Sequence, residues 1–81
     1  MYRVEFVESA KKEFLQLNKE SQNRVISVLE RVIVRPYSFA LRLSGSNLYR
    51  IRVGKLRVIV DILEEKIIVL KIGNRENVYS P

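Results

Sequence analysis

The chain has 81 residues, 47% of them hydrophobic, and its 15 Lys and Arg against 9 Asp and Glu give a net charge of +6. That length makes a single domain, residues 1–81, near the lower limit for a core that holds without staples; with no cysteine and no histidine, disulfides, thiolate or imidazole metal sites and the usual neutral-pH proton shuttle are excluded. The basic excess points to nucleic acid, an anionic surface or an acidic protein partner.

Tyr2 to Val7 alternates weakly and is expected as a first strand. Val7, Ala10, Phe14 and Leu17 then recur at helical spacing, with Lys11, Lys12, Glu13 and Gln16 opposite, which predicts an amphipathic helix ending about Asn18. A second helix is expected from Glu20 or Ser21, with Val25, Ile26, Leu29, Val32 and Ile33 as its buried stripe and Pro36 as its stop. The two make a helical hairpin, and their apolar stripes are core.

After Pro36 the period changes. Ser44-Gly45-Ser46-Asn47 reads as a turn, and Leu48 to Val53 alternates strictly. Gly54-Lys55 separates that run from Leu56 to Leu63, the pattern of a two-residue hairpin loop of the II′ kind. Glu64-Glu65-Lys66 turns the chain into Ile67 to Ile72, and Gly73 releases it. The expected fold is α+β: an N-terminal strand, a two-helix hairpin, then a three-stranded antiparallel meander, with the helices packed on one face of the sheet. No apolar run has the length of a membrane span and the first residues do not resemble a signal peptide, so a cytoplasmic location without membrane contact is expected.

The hairpin loop sets a register. With Gly54-Lys55 as the turn, Val53 faces Leu56 and Arg52 faces Arg57. Tyr49, Ile51, Val53, Leu56, Val58, Val60 and Ile62 then point to the helices, and Arg50, Arg52 and Arg57 share the other side. Arg42 and Lys55 extend this basic stretch, which holds no acidic residue from Arg42 to Arg57. Like charges directly opposite one another destabilise a strand pair by up to about 1 kcal/mol, so such an arrangement suits an anion. Phosphate is the natural guest of guanidinium forks. Asp61, Glu64 and Glu65 are explained as solvated acids, and neither metal nor cofactor is expected.

The run from Leu48 to Val60, followed by Ile72-Gly73-Asn74-Arg75-Glu76-Asn77-Val78-Tyr79, resembles the C-terminal half of the RelE/ParE toxin superfamily. The opening Tyr-x-Val-x-Phe strand, the Ala-Lys-Lys-Glu-Phe helix and a second helix closing in Arg35-Pro36 are similar to its first half. In the RelE branch the resemblance implies a type II toxin that cleaves mRNA on the ribosome without a metal, and an acidic RelB-like antitoxin as partner. Its functional positions fall on Arg50, Arg52, Arg57, Arg75 and Tyr79; catalysis is expected of Arg52, Arg57, Arg75 and Tyr79, and RNA binding of Arg50 with Arg42 and Lys55 from the basic stretch. Well-known RelE members carry lysine where this chain has Arg50 and Arg52, and arginine keeps its proton, so these positions supply fixed charge and not a base.

RNA brings its own nucleophile. Its 2′-hydroxyl attacks the adjacent phosphate in line, expels the 5′-oxygen and leaves a 2′,3′-cyclic phosphate, so a protein need supply only position, charge and proton transfers. Tyr79 is the candidate base, or else it stacks on a nucleobase. Two other readings stand beside this one. ParE-type relatives share the fold and inhibit DNA gyrase, and a non-catalytic ribosome- or RNA-binding module would also fit a basic sheet.

Overall fold

In the computed structural model, which describes residues 1–74, strand β1 (Arg3–Phe6) passes through Val7 into helix α1 (Glu8–Leu15). Asn18 does not end that helix but begins the next. Its backbone is extended and its Oδ1 accepts a hydrogen bond from the Ser21 amide at 2.8 Å, which caps α2 (Lys19–Val32). Gln22, one turn into α2, donates its Nε2 to the Phe14 and Leu17 carbonyls at 3.2 Å each, the first of which also accepts from the Leu17 amide. The two helices are thereby joined by side chains as well as by their connection.

Pro36 acts differently from the expected stop. α2 ends at Val32, and Pro36 opens a single-turn helix, α3 (Pro36–Phe39), at the position where its missing N–H is not needed. A short strand, β2 (Ala40–Arg42), follows, then β3 (Tyr49–Val53), β4 (Leu56–Leu63) and β5 (Lys66–Asn74). The sheet order is β1-β5-β4-β3-β2. β1 lies parallel to β5, and the other neighbours are antiparallel. The α+β fold is thus as the sequence suggests, with the three-stranded meander at its centre and one further strand on each edge.

The hairpin register is the one that Gly54-Lys55 implies. Val53 pairs with Leu56 and Arg52 with Arg57, and Gly54 adopts φ 60°, the positive value that the first position of a II′ turn requires. The second hairpin pairs Leu63 with Lys66 and places Glu64, a residue with a Cβ, at φ 52°. Between β4 and β5 the register then shifts: Val60 pairs with Val69, but Ile59 pairs with Lys71. Leu70 is the extra residue of a β-bulge.

One face of the sheet carries the core. Ile51, Val53, Val58, Val60, Ile67, Val69 and Ile72 meet Ala10 from α1 and Val25, Leu29 and Val32 from α2, while Val4, Phe6 and Phe14 pack around them. Among the described residues no helix is long and apolar enough to cross a membrane.

Glu64 is the strained point of this scaffold. Left-handed backbone costs a residue with a Cβ about 1–2 kcal/mol, and glycine escapes that cost while losing some entropy of its own on folding. Glu64→Gly is expected to raise the unfolding free energy by roughly 1 kcal/mol, read as a higher urea midpoint with an unchanged slope.

Candidate functional site: an arginine face on the sheet

The face away from the helices is ordered in rungs. Leu41 of β2 pairs with Arg50 of β3, Arg50 with Ile59 of β4, and Ile59 with Lys71 of β5. The next rung runs Arg52, Arg57, Gly73. Arg50, Arg52 and Arg57 therefore share one surface, as their parity along β3 and β4 requires.

Their environments differ. Arg52 is exposed and Arg50 half-buried, whereas Arg57 retains only 4% of its accessible surface. The Arg57 Nε has no hydrogen-bond partner among the described residues. Sequence parity gives the face of Arg57 but not this burial. A buried guanidinium with an open donor is costly unless an anion completes it, because leaving a buried donor unmade costs about 1–3 kcal/mol.

The bulge decides what stands beside Arg57. Without the extra residue, Arg57 would pair with Ile72. The shift moves Ile72 opposite Val58, into the core, and brings Gly73 opposite Arg57. Glycine sets no side chain against the guanidinium at that rung. Gly73 is the contributor to the site that the sequence reading misses. The signal was present: Ile67 and Val69 alternate, but the next core residue is Ile72, with Lys71 where the alternation calls for an apolar side chain.

The other expected residues fall in three places. Arg42 pairs with Tyr49, which puts it on the helix side by parity, and its guanidinium is engaged in its own loop, with Nε donating to the Ser46 carbonyl at 3.1 Å and Nη2 to Asn47 Oδ1 at 3.0 Å. The structure does not bring it to the arginine face. Lys55 is exposed at the tip of the β3–β4 hairpin. Arg75 and Tyr79 lie outside the described residues. Among the described residues, no three His, Cys, Asp or Glu side chains come together.

The structure is thus a small α+β domain with three arginines on the sheet face away from the helices, one of them buried with an unpartnered Nε among the described residues. The family model described as "ParE toxin of type II toxin-antitoxin system, parDE" matches residues 4–79. The chain belongs to the RelE/ParE toxin superfamily, as a toxin of a type II toxin-antitoxin system. Among solved structures, it is similar to the intact RelBE toxin-antitoxin complex of E. coli, with a TM-score of 0.80 at 22% identity over 91% of this chain and 96% of that one. It resembles the RelE-RelB complex of Pyrococcus horikoshii OT3 with a TM-score of 0.78 at 28% identity, covering 91% and 94% of the two chains. The RelBE2 toxin-antitoxin complex of Mycobacterium tuberculosis matches with a TM-score of 0.80 at 19% identity, covering 91% and 98%. No curated protein matches the sequence.

The open donor of Arg57 makes a stability prediction. Arg57→Met fills similar space without a buried donor or charge, and is expected to raise the unfolding free energy by about 1 kcal/mol. Chemical denaturation of the two proteins measures it, and a clear loss of stability would mean that Arg57 is satisfied within the fold.

Proposed function

We propose that the chain is an endoribonuclease toxin that cleaves mRNA on the ribosome, without a metal, by 2′-hydroxyl attack on the adjacent phosphate. The observation that carries this reading is the rung Arg52-Arg57-Gly73, with one arginine buried, its Nε open, and no side chain opposite it on β5. Such an arrangement favours a dianionic, phosphorane-like transition state over a monoanionic phosphodiester, because preorganised donors act most strongly where charge develops. Arg52 and Arg57 supply charge at the reacting phosphate, and Arg50 and Lys55 hold the flanking RNA backbone. Arg75 adds a third guanidinium, and Tyr79 acts as base or stacks on a base. A site without histidine or cysteine has few proton carriers of its own, which suits an enzyme that borrows substrate orientation from the ribosome. The setting of such a reaction is the cytoplasm.

Inhibition of DNA gyrase is the second reading, favoured by the match to the ParE family description. A translation reaction separates the two. New mRNA ends that need assembled ribosomes support the nuclease, whereas intact mRNA with inhibited gyrase supercoiling overturns it. Within the nuclease reading, Arg57→Ala or Arg75→Ala is expected to slow single-turnover cleavage about 10²–10³-fold, the usual loss for one preorganised transition-state donor. Lysine at either position should recover only part of that rate, since it lacks the bidentate fork. Tyr79→Phe keeps stacking and loses proton transfer, so its cleavage rate decides between the two roles.

The partner proposed is an acidic, RelB-like antitoxin that covers the arginine face. RelB accompanies RelE in the solved Pyrococcus horikoshii complex. Carboxylates laid over Arg50 and Arg52 would relieve the repulsion between neighbouring cations. The complex is expected to weaken progressively as salt rises, because exposed charge pairs are screened. Titration calorimetry at increasing ionic strength checks this, and an affinity indifferent to salt would place the antitoxin elsewhere.

A further inference from the structure

β5 loses its neighbour halfway along. The parallel pairing with β1 ends at Phe6 and Val69, and the last bond on that edge runs from the Val7 amide to the Val69 carbonyl at 3.0 Å. From Leu70 onward, that edge of β5 has no strand beside it among the described residues. This is also the stretch that contains the bulge, Ile72 in the core, and Gly73 opposite Arg57.

Glu13 of α1 takes the place of the missing strand. Its Oε1 accepts a hydrogen bond from the Ile72 amide at 2.8 Å, and its Oε2 lies 3.3 Å from Lys71 Nζ. The carboxylate thus does for one backbone amide what a strand carbonyl would do, from a residue far away in sequence. What the amide requires is an acceptor oxygen at this reach, because a part-buried N–H left without one is costly.

We infer that Glu13 is a positioning residue for the arginine site, acting through β5. By holding Ile72, two residues after the bulge, it fixes which residue faces Arg57. If the bulge were lost, Ile72 would return opposite Arg57 and Gly73 would leave the rung. The same strand leads in sequence directly to Arg75. The role in cleavage rests on the nuclease reading given above. The ion pair with Lys71 is secondary, since both side chains reach solvent there and such pairs contribute little.

The decisive comparison is between reach and charge. Glu13→Gln keeps an oxygen at the same distance and loses the charge; Glu13→Asp keeps the charge and shortens the arm by one methylene. Glu13→Asp and Glu13→Ala are expected to lower the single-turnover cleavage rate about 10- to 100-fold, with KM for ribosome-bound mRNA unchanged, because small displacements of catalytic groups act on the chemical step. Glu13→Gln is expected to recover most of that rate. Amide hydrogen exchange supplies a readout independent of activity: the Ile72 amide exchanges faster in the Asp and Ala proteins and stays protected in the Gln protein. Rates are compared at a temperature where circular dichroism shows each protein folded, and if the Ala protein does not fold, the Asp and Gln proteins decide. If the unaltered chain cleaves and the folded Asp protein cleaves equally fast, or the Gln protein is as slow as the Asp protein, Glu13 does not position the site. If the unaltered chain does not cleave at all, the nuclease reading fails, and the role of Glu13 in cleavage with it.

Discussion

A strand alternates its side chains with a period of two, and in β4 that constraint binds the core to the site. Val58 and Val60 are fully buried under the helices, and Arg57 and Ile59 alternate with them on the other face. Burying a valine is worth about 1.5–3 kcal/mol, so the two together outweigh the roughly 1 kcal/mol of repulsion between Arg57 and Arg52 across the rung. The core therefore enforces a pairing of cations that the cations alone would refuse. A slip by one residue would not relax the arginines independently, because it would turn the valines out of the core at the same time.

The elements that could be read in advance are those whose signal is local. Gly54-Lys55 specifies its turn through the glycine's freedom at positive φ, and the register of Arg52 and Arg57 follows from it by counting. The long amphipathic stripe of α2 is of the same kind. Asn18 is a local signal that was misread: it belongs to the classes of residue that cap helices, and its side chain starts α2 where the apolar spacing suggested the tail of α1. β2 had no legible signal, since Ala40–Arg42 is too short for alternation to show. It exists because β3 offers it an edge.

The site divides along the same line. The shared face of Arg50, Arg52 and Arg57 was legible because parity within a hairpin needs no knowledge of the rest of the molecule. The burial of Arg57 was not, since parity assigns a side chain to a face and says nothing of how much of it stays exposed. Arg42 was grouped with the others by its nearness in sequence, and its true side is set by the unseen strand β2, which pairs it with Tyr49. The partnership of Glu13 with Ile72 spans nearly the whole chain and has no counterpart in any window of sequence. What a sequence conceals here is long-range pairing, and the strands that compose the site meet only through it.

The parallel pairing of β1 with β5 also has a consequence in time. Arg3 pairs with Lys66, so the strand that precedes all others in synthesis waits for the strand that comes after them. Closing so long a loop is among the slower steps that a small domain takes, and it has to follow the translation of most of the chain. Until then Val4 and Phe6 lack their places against Ile67 and Val69, and β4 has only one of its two neighbours. A nascent chain halted before β5 has the β3–β4 hairpin and its arginines but lacks Gly73 and the strand that completes the rung. Completion of the arginine rung is thereby tied to the last stage of synthesis.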